Sequence, residues 1–286
     1  MTTDGESVSL ASLNVCCGMS NSLRPVKKRA AEFCRRLERT DVDLVNFQEV
    51  WTPRLQRFLA RHLPSFPFVA RRTGMLGQPA GGLVSFSRRP LRAVRYMSFR
   101  GTRPRAGGPL LRCAVTLGSG LQGVLTFEVS GHRTVVANVH LTANRDGDWS
   151  AGNRHEALQM AQLTRFHRVV REARDRDTEL VIAGGDFNPP SSSALYEALV
   201  DEGGWRDPFA AADLPTFHAE LLPAGASAYR VDYLLVHGDA ARYPVTGSGL
   251  FFTEPVAMPS GGTAFLSDHM AQVATIGRRS GPRPAQ

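Results

Sequence analysis

The sequence is short of cysteine, of lysine and of long apolar runs, and each shortage excludes a class of protein. No apolar run approaches the roughly 20 residues that a membrane-spanning helix needs. The N-terminus lacks the basic and then apolar pattern of a secretory signal. Four cysteines, Cys16, Cys17, Cys34 and Cys113, are too few for a secreted disulfide scaffold and lack the spacing of a zinc site. We therefore expect a soluble, cytoplasmic protein with reduced thiols.

Positive charge comes almost entirely from arginine. Lys27 and Lys28 are the only lysines, and the formal net charge is +8. A basic surface favours phosphate-rich partners such as nucleic acid, an anionic membrane surface or an anionic small molecule. A general over-use of arginine and alanine explains the charge equally well, so composition does not choose among these partners.

The length of the chain is enough for one large domain or two small ones. It has 286 residues, of which 42% are hydrophobic, which supports a sizeable core. No linker-like segment interrupts residues 7–277, so we expect these residues to form one domain, in a monomeric protein. Residues 1–6 and 278–286 lack apolar periodicity, and we expect both termini to be flexible.

The apolar periodicity predicts strands that alternate with helices. Helices are predicted at residues 24–39, after the Thr52 cap and Pro53, and at residues 153–174 and 191–200. Strands are predicted at residues 8–15, 42–47, 81–86, 180–183, 230–236 and 271–276, with four more between residues 91 and 141. Helices separated by β-meanders, twice over, predict an α/β (α+β) fold with two mixed β-sheets packed face to face and helices outside, a four-layer α/β/β/α sandwich.

Polar side chains stand at the ends of several predicted strands. The motifs are Asn14, Gln48-Glu49, Asn138-Val139-His140, Gly185-Asp186-Phe187-Asn188, Val231-Asp232-Tyr233 and Ser267-Asp268-His269. Because strands of a buried sheet deliver their end residues to one rim, we expect these side chains to meet. Carboxylate and amide oxygens can hold a hard divalent cation, a histidine can activate water, and amide donors can face an anionic oxygen. Hydrolysis of a phosphate ester is the chemistry that needs all three.

Each motif taken alone has an ordinary structural explanation. Asp186 to Asn188 is typical of an Asx turn that leads into a helix. An isolated strand-end histidine such as His140 is usually a hydrogen-bonded core residue. A hydrogen bond between Asp232 and His269 is more often structural than catalytic. The combination of motifs, rather than any one of them, indicates a site.

These motifs, in this order, resemble the endonuclease/exonuclease/phosphatase superfamily, which includes deoxyribonuclease I, apurinic endonucleases, inositol polyphosphate 5-phosphatases and neutral sphingomyelinases. The resemblance covers residues 10–276 and implies the deoxyribonuclease I-like four-layer sandwich. Within the superfamily, residues 47–51 (FQEVW), 82–91 (GLVSFSRRPL) and 140–144 (HLTAN) resemble the neutral sphingomyelinase branch. The resemblance therefore implies a Mg²⁺-dependent phosphodiesterase, acting on a phospholipid headgroup, whose catalytic domain is residues 7–277.

The resemblance also assigns metal ligands and a general base. It implies that Glu49, assisted by Asn14, and Asp268 hold Mg²⁺, for which Mn²⁺ can substitute. It implies that His269 is the general base and that Asp232 holds its tautomer through a hydrogen bond.

The remaining implied roles concern the attacking water and the phosphate. By the resemblance, Asp186 orients or helps to activate the water, Asn188 donates to a phosphate oxygen, and His140 donates to a phosphate oxygen or assists the leaving group. Arg154 could contact a substrate phosphate or pair with an acid. Arg103 and Arg105 could belong to a phosphate-binding loop, although a solvated arginine loop is the commoner outcome.

Other functions stay open on the sequence alone. The net charge suits a DNA or RNA endonuclease or exonuclease, although no run of basic and aromatic residues would track a strand. A phosphatase that acts on an intracellular phosphorylated metabolite is a further alternative. A catalytically idle binding scaffold would be expected to lack at least one of the core polar residues, and all are present. For a lipid substrate, Trp149 and residues 250–252 are the apolar segments expected to contact a membrane.

Overall fold

The computed structural model of the protein describes residues 7–17, 23, 25–102, 122–144, 147–259 and 261–279. Residues 1–6 and most of the segment 278–286, both expected to be flexible, lie outside the described residues. The same is true of Arg103, Arg105 and Cys113.

Strands and helices alternate along the described chain. The helices are α1 (Val26–Leu37), α2 (Pro53–His62), α3 (Glu156–Ala173) and α4 (Ala194–Gly203). The strands are β1 (Val8–Asn14), β2 (Leu44–Gln48), β3 (Phe68–Ala70), β4 (Val84–Ser87), β5 (Leu91–Ser98), β6 (Gly123–Val129), β7 (Thr134–His140), β8 (Leu180–Asp186), β9 (Asp232–His237), β10 (Val245–Phe251), β11 (Val256–Ala257), β12 (Thr263–Ala264) and β13 (Ala271–Ile276). None of the described helices combines the length and the apolar character that a membrane crossing requires.

Two mixed sheets account for nearly all of the described strands. The first has the order β10-β13-β1-β2-β4-β3 and the second the order β5-β6-β7-β8-β9, while β11 and β12 form a separate hairpin. Parallel pairing joins β1 to β2 and β7 to β8, and the other pairs are antiparallel. β1, β2, β7 and β8 finish with polar residues of the motifs, and β9 begins with one.

Side-chain alternation along the strands divides the core into three layers. Residues such as Leu10, Ile182 and Leu234 pack between the two sheets. On the outer face of the first sheet, Phe47 packs against α1 and α2, and on the outer face of the second sheet Phe166 of α3 belongs to the cluster that also includes α4 residues. The observed architecture is therefore the four-layer α/β/β/α sandwich that the sequence predicted.

Toward the strand ends that carry the motifs, the contact between the sheets becomes polar. Gln48 Nε2 donates to Asn138 Oδ1 at 2.9 Å, and Asn138 Nδ2 donates to the Phe47 carbonyl at 3.1 Å. Asn46 Nδ2 donates across the same interface to the Ala137 carbonyl at 3.1 Å. Each bond joins the first sheet to the second, and buried, directional hydrogen bonds of this kind favour one relative position of the two sheets.

Several boundaries differ from those that the sequence predicted. β4 begins at Val84 rather than at residue 81, because residues 80–82 form a 3₁₀ turn in which Gly81 has φ of +68°. α3 begins at Glu156, where Asn153 Oδ1 accepts the backbone N–H at 3.1 Å. β8 extends beyond residue 183 to Asp186. Three of the four strands expected between residues 91 and 141 lie in the described residues.

Gly185 gives a test of the close approach between β7 and β8. A Cβ atom placed on Gly185 would lie 2.0 Å from the Val139 carbonyl oxygen, which is backbone and cannot move aside by itself. We expect Gly185→Ala to lower the free energy of unfolding by roughly 2 kcal/mol or more, the scale of overpacking. Gly249→Ala is the control, because nothing lies within 4 Å of its Cβ position. Equal denaturant midpoints for the two variants would contradict this packing.

Candidate active site

Three polar residues stand side by side at one end of the second sheet. The register pairs His140 with Asp186 across β7 and β8, and Asp186 with Asp232 across β8 and β9. Their positions in the alternation place all three side chains between the sheets. Asn14, at the end of β1 in the first sheet, meets them there by donating to Asp186 Oδ2 at 2.9 Å.

His269 forms a hydrogen-bonded pair with Asp232. Its Nδ1 lies 2.8 Å from Asp232 Oδ2, while its Nε2 lies 3.9 Å from both Asp186 Oδ2 and Asp268 Oδ1. The His269 and Asp232 side chains are only 4% and 3% exposed. Because the pair fixes Nδ1 as the atom that faces Asp232, Nε2 is the nitrogen directed at the other acids.

A segment without regular structure orders this pair. Thr216 Oγ1 accepts the backbone N–H groups of Val231 and Asp232, both at 3.1 Å. The Phe217 ring lies against the His269 imidazole with 4.0 Å between ring centroids. Sequence reasoning missed both contacts because residues 216 and 217 belong to no periodic element.

Glu49 joins the site through Asn14. Asn14 Nδ2 lies 3.4 Å from Glu49 Oε1 as well as 2.9 Å from Asp186 Oδ2, and Asn14 Oδ1 accepts the Cys16 N–H at 3.0 Å. The amide nitrogen rather than the amide oxygen of Asn14 therefore faces the two carboxylates. In this conformation Asn14 links the acids by hydrogen bonds.

Three residues at the site have backbone dihedrals that L-amino acids rarely adopt. Cys16, Glu49 and Asn188 have φ of +50°, +64° and +71°. The left-handed conformation costs roughly 1–2 kcal/mol for such residues, and strain of this kind concentrates at functional sites. Each residue follows the polar end of a strand, so the strained backbone turns its side chain back toward the rim.

Asn188 does not continue the strand geometry of β8. The strand ends at Asp186, whose Oδ1 accepts the Asn188 backbone N–H at 3.0 Å. Asn188 Nδ2 donates to the Leu141 carbonyl at 2.9 Å, which leaves its second amide hydrogen for another acceptor.

The charges at the site are unbalanced. In the described part of the chain, the acids Glu49, Asp186, Asp232 and Asp268 form no ion pair with Arg or Lys, and their histidine partners are His140 and His269. Burial raises the pKa of Asp186 above its usual range, although His269 and His140 lower it. Burial alone would lower the pKa of His269, but the charges of Asp232 and Asp268 and the hydrogen bond to Asp232 outweigh it and raise the pKa to about 10.

This surplus of acid fits a hard divalent cation. Asp186, Asp232 and His269 each place a donor atom within 4.8 Å of the others, and Glu49 and Asp268 add further carboxylate oxygens. Burial raises the pKa of Cys16 to about 12 and that of Cys17 to about 11, so both neighbouring thiols are protonated at neutral pH. Oxygen donors without a thiolate suit Mg²⁺, Mn²⁺ or Ca²⁺ rather than a thiolate-bound metal.

The remaining residues selected from the sequence are Arg154, Trp149 and the pair Phe251 and Phe252. Arg154 precedes α3 instead of lying one turn into it. Trp149 is half-buried, and Phe251 and Phe252 pack against the outer core of the first sheet instead of standing exposed. Trp51, which sequence reasoning did not select, lies beside His140 with 6.2 Å between ring centroids.

Comparison with known proteins identifies the family of the chain. A sequence model of the Endonuclease/Exonuclease/phosphatase family matches residues 11–269. The chain belongs to this family. As a member it is a phosphoester hydrolase, and the family enzymes depend on divalent metal ions, as the sequence led us to expect. A search of curated protein sequences found no match.

Solved structures with the same fold act on more than one kind of substrate. Humanized D. rerio TDP2 with 14 mutations is 19% identical over 95% of this chain and 99% of that chain, with a TM-score of 0.66. Sphingomyelinase C from Streptomyces griseocarneus is 17% identical over 94% and 99%, with a TM-score of 0.67. D. rerio TDP2 in complex with a single-strand DNA product is 18% identical over 95% and 99%, with a TM-score of 0.66. Likeness at these identities shows the fold.

The acid surplus predicts that a divalent cation stabilises the folded protein. We expect Mg²⁺ at 100 times its Kd to add about 2.7 kcal/mol to the free energy of unfolding, because the ion binds only the folded site. In Glu49→Gln this increment should shrink strongly, while Glu202→Gln, at the exposed end of α4, should keep it. Thermal melts with Mg²⁺ and with a chelator measure the effect. An undiminished increment in Glu49→Gln would exclude Glu49 as a ligand.

Proposed function

We propose that the protein is a Mg²⁺-dependent phosphodiesterase that hydrolyses the headgroup linkage of a phospholipid. The observation that carries the chemistry is the buried Asp232–His269 pair, with Nδ1 held at 2.8 Å and Nε2 directed at Asp186 and Asp268. An imidazole oriented by a carboxylate and open at Nε2 is the arrangement of a general base. His269 then accepts a proton from water at Nε2, and Asp186 orients that water.

The proposed metal ligands are Glu49 and Asp268, with Asn14 orienting Glu49. Bound there, Mg²⁺ or Mn²⁺ would supply positive charge to the phosphate oxygens as negative charge builds up on them. Neutralisation of Asp268 would also remove part of the field that favours the imidazolium form of His269. The metal site and the general base are therefore linked through Asp268, because the carboxylate assigned to the cation is also one of the acids that stabilise the protonated form of His269.

Two side chains are placed to contact the phosphate directly. His140 Nε2 lies 3.6 Å from Asp186 Oδ2, on the same row of the sheet, and we assign it a hydrogen bond to a phosphate oxygen or to the leaving group. Asn188 retains one amide hydrogen after its bond to the Leu141 carbonyl, and we assign that hydrogen to another phosphate oxygen. Removal of one such hydrogen-bond donor to developing negative charge typically lowers kcat by about 10²–10³.

The charge balance favours a diester over a monoester. A phosphate monoester carries close to two negative charges at neutral pH, because its second pKa is about 6, and a diester carries one. The described site offers four carboxylates against two histidines, with no ion-paired Arg or Lys. A singly charged phosphate meets less repulsion there, which supports a phosphodiesterase rather than a metabolite phosphatase.

A nucleic-acid phosphodiester is the second candidate substrate. The net charge of +8 and the fold shared with TDP2, which is known in complex with a single-strand DNA product, support it. The fold shared with sphingomyelinase C, together with the sequence resemblance at residues 47–51, 82–91 and 140–144, supports the phospholipid. Under either reading, we propose that residues 7–277 act as one catalytic domain in a monomer.

The general base can be tested by substitution. We expect His269→Ala to lower kcat on a soluble diester such as bis(p-nitrophenyl) phosphate by about 10² or more, the usual scale for a positioned acid or base. Asp232→Asn should lower kcat less, because the imidazole remains while its orienting charge is lost. His62→Ala, on α2, is the matched control and should keep wild-type turnover. Wild-type kcat in folded His269→Ala would remove the assignment.

The substrate class can be tested with a panel assayed in Mg²⁺, in Mn²⁺ and in excess chelator. The panel holds a choline phospholipid in mixed micelles, a single-stranded oligonucleotide, a duplex and a sugar phosphate. We expect turnover of the phospholipid in Mg²⁺, none in chelator, and the lowest kcat/KM for the monoester. Preferred cleavage of the oligonucleotide would overturn the phospholipid assignment and establish the second candidate.

A further inference from the structure

The connection between β3 and β4 carries the two most exposed large apolar side chains in the described structure. Met75 and Leu76 are 102% and 87% exposed. They are adjacent at the tip of residues 71–79, which we call the β3–β4 loop. Isolated exposed apolar residues are common, but two neighbouring aliphatic side chains that are both almost fully exposed at a loop tip need an explanation.

The tip is held by hydrogen bonds within the β3–β4 loop. Gly74 N donates to the Gln78 carbonyl at 2.7 Å, Gly77 N donates to the Gly74 carbonyl at 3.0 Å, and Leu76 N donates to Gln78 Oε1 at 2.9 Å. A bridge between Thr73 and Pro79 closes the base. Because these bonds define the backbone, Met75 and Leu76 are presented to solvent by an ordered turn, and they cannot reach the core by a change of rotamer alone.

The base of the β3–β4 loop leads directly to the active site. The 3₁₀ turn Ala80–Gly82 follows the loop, and the Gly82 carbonyl accepts the Val50 N–H at 2.9 Å, one residue after Glu49. A Cβ on Gly82 would lie 3.0 Å from the Trp51 ring, and Trp51 is the residue beside His140. The base of the β3–β4 loop therefore adjoins the segment that carries Glu49 and Trp51, beside His140.

The surroundings of the tip are basic. No acidic residue occurs between Glu49 and Glu128, whereas this stretch contains thirteen arginines. Arg71 and Arg72 begin the β3–β4 loop, and Arg54 lies at the start of α2, where the Pro53 ring is 3.8 Å from the Cβ position of Gly77. Among the described residues, none of these three arginines has an ion-pair partner.

We propose that the β3–β4 loop docks the protein on an anionic phospholipid bilayer, with Met75 and Leu76 buried at the boundary of headgroups and acyl chains and Arg54, Arg71 and Arg72 on the lipid phosphates. An apolar tip surrounded by unpaired cations is the pattern of an interfacial membrane contact. Contact through this loop would bring the adjoining segment, which carries Glu49, close to the lipid headgroups. This inference rests on the proposed phospholipid substrate and names the surface by which the enzyme reaches it.

The side chains at the tip favour lipid over single-stranded nucleic acid. Proteins that bind single strands stack bases on aromatic rings. The tip offers Met and Leu, and the described residues of the loop include no aromatic side chain. Apolar burial in a bilayer is non-directional and scales with aliphatic area, which these two side chains supply.

The test is vesicle co-sedimentation of the full chain. Met75→Ser combined with Leu76→Ser should lower the partition coefficient on vesicles of phosphatidylcholine and phosphatidylserine by about tenfold or more, because burial of each side chain is worth at least about a factor of ten. Leu214→Ser, which removes an exposed leucine from another loop, is the matched control and should change partitioning less than twofold. The ratio of vesicle to soluble-diester turnover should fall with the partition coefficient, while the melting temperature stays unchanged.

A second double variant tests the contribution of the arginines to vesicle binding. Arg71→Gln with Arg72→Gln should weaken binding to the anionic vesicles at low salt, and the difference from wild type should vanish as salt screens the charges. Arg174→Gln, at the far end of α3, is the control for a change of net charge.

The outcomes separate this inference from the proposed function. Equal vesicle binding by wild type and the Met75/Leu76 double variant would overturn the inference, and so would an absence of wild-type binding. Loss of oligonucleotide binding in the double variant, with vesicle binding intact, would make the loop a nucleic-acid surface. Tip-dependent vesicle binding without any diester hydrolysis would leave the inference standing and refute the proposed phosphodiesterase.

Discussion

The structure depends on a surplus of negative charge at one end of the interface between its two sheets, where Asp186 and Asp232 are buried and Glu49 and Asp268 are partly exposed. Four carboxylates converge there with only two histidines among their described ion-pair partners, and taking such charges out of water is costly unless a cation or a proton balances them. Burial, with a smaller contribution from Asp232, raises the pKa of Asp186, and the charges of Asp232 and Asp268 raise the pKa of His269. A site that retains protons when it lacks a cation, and can release them when it holds one, is suited to general-base chemistry.

Hydrogen bonds from the surrounding fold hold the chain segments of this acidic cluster together. Arg29 of α1 is fully buried and donates to the carbonyls of Val15 at 3.3 Å, of Cys16 at 3.1 Å and of Leu266. Ser267 Oγ donates to the Asn14 carbonyl at 2.6 Å. These bonds fasten the end of β1 to the segment that carries Asp268 and His269. The guanidinium donates to backbone carbonyls and, within the described part of the chain, forms no ion pair with an acid. It therefore holds the site in place without neutralising the described carboxylates.

The sequence predicted the core strands and the polar residues at their ends, because these follow from periodicity. It did not predict the features that depend on tertiary contacts. β1 and β8 are short, buried, largely apolar segments that end in Asn14 and Asp186, so the sequence located both polar residues at strand ends and the two-residue strand period gives the side of the sheet on which each lies. β10 was missed because it lies at a sheet edge, has no fully buried residue and contains two glycines, so its sequence shows no alternation of apolar and polar residues. The left-handed φ of Glu49 has no local signal, because Gly, not Glu, is the residue that favours it. The contacts of Thr216 and Phe217 depend on a long-range encounter that no local pattern encodes.

The polar residues of the site lie at strand ends, which periodicity predicts, whereas we expect loops, which periodicity does not predict, to select the substrate. The carboxylates and His269 lie at the ends of core strands or just before them, and a phosphoester hydrolase of this fold is not limited by the fold to one substrate. Net charge cannot separate these substrates, because DNA and anionic lipid attract a basic surface alike. The interaction that distinguishes lipid from DNA must therefore be local and non-electrostatic. In the membrane contact that we propose, Met75 and Leu76 of the β3–β4 loop supply this interaction, because their exposed aliphatic area gains free energy from an acyl phase and gains little from a hydrated phosphodiester backbone.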